Sequence, residues 1–184
     1  MTVSNKKGKF AHRAETFFGL CEEKLRPLTK EYGLVRADEK AGRGYTYYMI
    51  VFKNETTALR IYFEWMGSYL EVMLCRLVDG NLGRFHETLT PNVAESCFHT
   101  EDLLNVRAPG YNLEALQPRE TIDEADTMKE VERRLAKYAD ALCTYGEDIL
   151  RGDFGVFAKL NKIAKRRSRQ TAALEQQWDL QDYG

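Results

Sequence analysis

Long apolar runs are missing from the 184-residue chain, and no stretch is suited to cross a membrane as a helix. The first ten residues carry lysines but no apolar stretch behind them, so no secretory signal is expected. There is no glycine-rich phosphate loop, no nucleophile elbow and no paired-histidine zinc motif. Only three histidines are present: His12, His86 and His99. The four cysteines (Cys21, Cys75, Cys97 and Cys143) have no paired spacing. They are expected to be reduced thiols used as small core residues, in a cytoplasmic protein. Charge of either sign is not in excess, because the formal net charge is -1. Bulk charge therefore demands neither nucleic acid nor an anionic membrane.

What is present suits a packed core. The chain is 43% hydrophobic and 30% charged, which excludes wholesale disorder. Its length fits one domain over residues 11–170, with a lead-in over 1–10 and a tail over 171–184. Phe17, Leu20, Cys21, Leu25, Leu28 and Tyr32 recur at helical spacing. Pro27 should kink that helix or start a second short one, and Gly33 should stop it. The period then changes. Residues 34–39, 45–53, 57–65 and 69–78 read as four antiparallel strands, the last three rich in aromatic and β-branched residues. A two-residue Gly67-Ser68 turn would set Trp65 opposite Leu70, Phe63 opposite Val72 and Ile61 opposite Leu74, all apolar. The other face would then pair Glu64 with Glu71, Tyr62 with Met73 and Arg60 with Cys75.

Residues 79–120 read as irregular, with one short helix capped by Thr100. Thr121-Ile122-Asp123-Glu124 reads as a capping box opening the clearest helix. Its buried stripe is Met128, Val131, Leu135, Tyr138, Leu142 and Tyr145, and Gly146 ends it. Asp153 can cap a last helix with Val156, Phe157, Leu160 and Ile163 inward. The expected fold is α+β: an N-terminal helix, an antiparallel sheet of about four strands and a C-terminal helical hairpin packed on it.

Tyr138-Ala139-Asp140, followed by Asp148-Ile149-Leu150-Arg151-Gly152-Asp153-Phe154, resembles a recurring ending in small bacterial α+β proteins of unknown function. Several of those are similar to immunity proteins encoded beside secreted toxins. The motif is a helix stop and an N-cap, so it implies a fold and a binding role but carries no catalytic residue.

Three surfaces are candidates for chemistry. Strand alternation groups Tyr47, Tyr62, Glu64, Glu71 and Met73 on one sheet face, with residue types common in protein interfaces. Layer rules permit this face to be either open to a partner or covered by the C-terminal helices. With Glu101 and Asp102 as further exposed acids, this face would meet a basic partner such as a toxin. The Glu64/Glu71 pair would alternatively serve acid–base chemistry, but solvation near a turn favours a surface role. Cys97 and His99 are expected to point apart, which leaves no nucleophile pair, and the spacing of histidines and cysteines lacks the two tight ligand pairs of a structural zinc site. The basic run Lys162, Lys165, Arg166, Arg167 and Arg169 could grip phosphates, which makes nucleic-acid binding the alternative function. Trp178, Leu180 and Tyr183 make the tail apolar enough to fold back or to contact a second copy. The leading expectation is a non-enzymatic, immunity-type protein with no cofactor, binding another protein by occlusion.

Overall fold

A computed structural model describes residues 3–42, 46–82, 96–119, 121, 123–166 and 169. The chain is α+β. The N-terminal helix divides at Leu25, giving α1 (Val3–Lys24) and a second short helix α2 (Arg26–Glu31) with Pro27 in its first turn. Helix α1 takes in the expected lead-in from Val3 onward. Gly33, at φ +63°, turns the chain into the sheet in a conformation that side-chain-bearing residues rarely adopt.

The four expected strands are β1 (Val35–Ala41), β2 (Tyr47–Lys53), β3 (Thr57–Glu64) and β4 (Tyr69–Val78). Each pairs antiparallel with the next. Two short strands add to the far edge of β4: β5 (Asn81–Leu82) and β6 (Cys97–His99). The β4–β5 turn is Asp79-Gly80, both at positive φ, the geometry that two-residue hairpins require. Helices α3 (Thr100–Arg107), α4 (Glu124–Tyr145) and α5 (Glu147–Leu150) follow, then a helical segment over 157–166.

All the helices contribute to one core on one face of the sheet. From the sheet come Tyr48, Ile50, Phe52, Leu59, Ile61, Phe63, Leu70, Val72 and Leu74. Phe17 from α1 is fully buried and stacks on Tyr48 and Phe63, each 5.7 Å away between ring centres. Burial of a side chain that size contributes about 1.5–3 kcal/mol. Phe98 from β6 meets Phe157 edge-on at 4.7 Å. Polar ties fix the ends. Asn54 Nδ2 donates to Tyr32 O and Leu150 O, while its Oδ1 accepts from the Thr56 and Thr57 amides.

The structure corrects four local expectations. First, β3 and β4 pair two residues out of the expected register: Phe63 faces Leu70, Ile61 faces Val72 and Leu59 faces Leu74. The loop is four residues, Trp65 to Ser68, closed by Ser68 N donating to Trp65 O, with Ser68 rather than Gly67 at positive φ. An even shift leaves every apolar residue on the same face, so alternation could not detect it. Glu64 consequently opposes Tyr69, and Glu71 opposes Tyr62. The two carboxylates are not a directly opposed pair. Second, α4 begins at Glu124, and its cap is Asp123, whose carboxylate accepts from the Asp126 amide. Third, Thr100 lies inside α3, and its hydroxyl donates to Val72 O instead of capping the helix. Fourth, Cys75 and Cys97 form a disulfide between opposed residues of β4 and β6. Cys21 and Cys143 are free.

Candidate functional site

With the helices gathered on one face, the opposite face of the sheet is built from the alternate residues of β1 to β4. Register sets its rows across the strands. Tyr47, Glu64 and Tyr69 form the row nearest the β3–β4 turn, and Met49, Tyr62 and Glu71 form the next. Val51, Arg60, Met73 and His99 follow. A small second core, made of Val51, Ala58, Met73, Cys75 and Leu77, closes the end of the face away from the turn.

The turn end is the accessible end. Tyr47 and Tyr62 stack at 5.4 Å between ring centres, and Tyr69 meets Tyr62 at 6.4 Å. Tyr69 is 46% exposed and Met66, at the turn, is 81% exposed. Tyr47, Tyr62 and Glu64 are half-buried. Rings held in contact by their neighbours lose little freedom on binding, which is why such residues serve as anchors. Burial is the main cause that raises the Tyr62 phenol above its usual range. Glu64, Tyr47 and Glu71 add to the rise, and Arg60 opposes it. The phenol therefore stays protonated and presents a donor.

Beneath this surface runs a short polar chain. Tyr69 donates its hydroxyl to Glu71 Oε1 at 3.2 Å, and His99 Nδ1 lies 3.0 Å from the same oxygen. Glu71 is only 7% exposed, so this pairing compensates the loss of water around its carboxylate. Arg60 Nη1 reaches Met73 Sδ at 3.9 Å.

The expected site residues fare differently. Tyr47, Tyr62 and Glu64 come together at the accessible end. Glu71 lies on the same face but is buried, and Met73, at 2% exposure, belongs to the small core. Neither can be a primary surface contact. Glu101 and Asp102 are not exposed acids. Asp102 is buried on α3, and Glu101 accepts a hydrogen bond from the Tyr138 hydroxyl of α4. The core-facing side of a short helix lying between β6 and α4 explains both positions. Cys97 and His99 stand two apart on a strand and so share a face, contrary to expectation. Cys97 is spent in the disulfide and His99 is paired with Glu71, so the pair supplies no nucleophile. Tyr69, Met66 and His99 were missed. Tyr69 could have been found, because it is two residues from Glu71 and alternation puts both on one face.

In the observed register Glu64 and Glu71 are diagonal neighbours on adjacent strands rather than a directly opposed pair. Among the described residues no cluster of three histidines, cysteines or acids could hold a metal ion. Among them, too, no helix is long and apolar enough to cross a membrane. A shallow hollow of about 540 Å³ lies by Arg107, Thr144, Tyr145 and Arg151. Its cations are committed: Arg107 grips Asp148, and Arg151 pairs with Glu147 and Glu31. On the other candidate surface, Lys162, Lys165, Arg166 and Arg169 are all exposed. Arg167 and the apolar tail residues Trp178, Leu180 and Tyr183 lie outside the described residues.

No protein-family model matches the chain, and neither a curated protein nor a solved structure matches it.

Proposed function

We propose that this protein is a non-enzymatic binding module that docks another protein on the tyrosine face at the β3–β4 turn. The observation that carries the reading is the division of the sheet. One face is covered by helices, while the other presents stacked Tyr47 and Tyr62, with Tyr69 and Met66 projecting beside Glu64. Large aromatic and methionine side chains around a carboxylate suit a partner with an apolar pocket rimmed by basic residues. An immunity-type role, in which the face covers the working surface of a basic toxin, is the specific form of this proposal. Glu64 is then the acid that meets the partner, in place of Glu101 and Asp102.

The test is a nuclease-treated pull-down from the native host with wild-type protein, Tyr69→Ala and Glu64→Lys as baits. A stoichiometric protein that binds the wild type and neither variant supports the reading. Equal recovery on all three baits rejects this face. Nucleic-acid binding through the terminal basic helix is the second reading, supported by the exposure of Lys162, Lys165, Arg166 and Arg169. It predicts salt-sensitive recovery of RNA or DNA from untreated lysate, abolished by changing Lys165, Arg166 and Arg169 to Glu.

A further inference from the structure

The disulfide and the tyrosine face are connected. Cys75 and Cys97 sit directly opposite each other on β4 and β6. The strand β6 is only three residues long, and it carries His99 two positions from Cys97. His99 holds Glu71, and Glu71 in turn holds the Tyr69 hydroxyl. A continuous chain of contacts therefore runs from the disulfide to the most exposed tyrosine of the docking face. Cys75 is fully buried, whereas Cys97 is half-buried and so is the more exposed residue of the pair.

We propose that the Cys75–Cys97 disulfide is a redox clasp that sets the order of β6 and, through His99 and Glu71, the position of Tyr69. The clasp rests on the docking role proposed for that face. Its co-reactant is a dithiol. A thiolate of the dithiol attacks Cys97 Sγ, the Cys75–Cys97 bond breaks, and Cys75 leaves as a thiolate that takes a proton from water. The second thiol of the dithiol loses a proton and attacks its own bridged sulfur, and Cys97 leaves and is protonated. The protein disulfide gains two electrons and becomes two thiols, while the dithiol becomes a disulfide.

Opening the clasp is expected to act locally. Other ties survive reduction: Phe98 remains packed on Phe157, Arg76 N donates to Ser96 O, and the Thr100 hydroxyl donates to Val72 O. What is lost is the closure of a loop whose ends are 22 residues apart. Loop-closure entropy makes local opening of β6 on the order of a hundredfold more frequent once the bond is cut. In reducing cytosol such bonds are typically transient sensors, and in oxidising compartments they persist. The same bond therefore reports the compartment the protein is in.

The test uses the full chain. Thiol titration after denaturation should find two free thiols in protein equilibrated with oxidised glutathione, from Cys21 and Cys143, and four after dithiothreitol. Hydrogen exchange should then quicken on reduction at residues 71–75 and 97–99, with β2 unchanged, and should return on reoxidation. The Cys75→Ala/Cys97→Ala double variant should show the reduced pattern with or without reductant. Four thiols in the oxidised sample would overturn the clasp. So would exchange unaffected by reduction, or quickened evenly across the whole chain. These readings need no partner, so their failure leaves the docking reading standing. Failure of the pull-down leaves the thiol and exchange results intact.

Discussion

Arg134 is the buried group whose removal tests the packing of the site most directly. It is 3% exposed on α4, and its guanidinium donates to Leu116 O at 2.7 Å, Ser68 O at 2.8 Å and Leu70 O at 2.9 Å. Ser68 and Leu70 flank Tyr69, so this one fork grips the backbone on both sides of the exposed tyrosine. Arg134→Met keeps the apolar stem and deletes all three donors. Hydrogen bonds from a charged group each contribute about 1.5–3 kcal/mol, and leaving a buried carbonyl unpaired costs about 1–3 kcal/mol. Against that, the variant no longer has to strip water from a cation. The penalty is real, because burial lowers the Arg134 pKa more than Tyr138, Glu130 and Glu101 raise it. The net expectation is a loss of about 3 kcal/mol. In a chain of this size that lowers Tm by about 6–12 °C. Urea and thermal melts measure it, and hydrogen exchange at residues 68–70 should quicken. Glu101 sharpens the test, because its Oε2 is buried with no hydrogen-bond partner among the described residues. Neutralising it with Glu101→Gln in the Arg134→Met background should recover part of the loss. A loss below about 1 kcal/mol, or strict additivity of the two changes, would refute the role given to the guanidinium.

Four further outcomes follow from the same geometry. Tyr69→Ala should cost about 1 kcal/mol in stability, because the buried Glu71 loses a hydrogen-bond donor, and about 2 kcal/mol in partner affinity by calorimetry. Gly152→Ala should destabilise by about 2 kcal/mol in urea melts, since Gly152 sits at φ +93° and a Cβ there would stand 2.8 Å from Thr56 Oγ1. The Arg107 guanidinium holds the Asp148 carboxyl below its ordinary value of 3.8. The folded pKa lies below the unfolded one, so this stability is present above about pH 4 and is lost as pH falls through the folded pKa. Asp148→Asn should flatten that part of an acid-denaturation profile and leave the neutral-to-alkaline limb unchanged. Phe17→Ala should cost about 3–5 kcal/mol, because the ring is fully buried between Tyr48 and Phe63, and a thermal melt reads it.

Elements with strong periodicity were legible from residues alone. Aromatic and β-branched residues marked β2, β3 and β4, and the stripe from Val131 to Leu142 marked α4 with nearly correct limits. Pro27 and Gly33 acted through backbone geometry that no tertiary contact can override. The failures share a cause, which is that local pattern is blind to partners distant in the chain. Cys75 and Cys97 are brought together by pairing of β4 with a three-residue strand too short to show alternation. Asp102 turns inward because α3 is pinned by Thr100 to Val72 on one side and packed on α4 on the other. Of the expected face, Tyr47, Tyr62 and Glu64 stayed accessible because they lie near the turn. Met73 did not, because it sits two rows deeper beside Cys75. Asp79-Gly80 is a turn dipeptide legible in the sequence, at the start of a stretch whose composition otherwise reads as irregular.

The two-residue register shift also changes what surrounds the two acids of this face. In the expected register, Glu64 and Glu71 would face each other and repel, and one would have to bind a proton or a cation. In the observed one, each carboxylate faces a tyrosine across the strand pair. Glu71 is buried and occupied by Tyr69 and His99. Glu64 stays half-exposed between Tyr47 and Tyr69 on the neighbouring strands. Two acids that looked equivalent therefore take different parts. Glu71 is buried and holds the Tyr69 hydroxyl, and Glu64 is the carboxylate that remains accessible. Stacked rings beside one half-exposed acid are what the docking reading proposed above calls for: rigid apolar area and a single charge to set orientation.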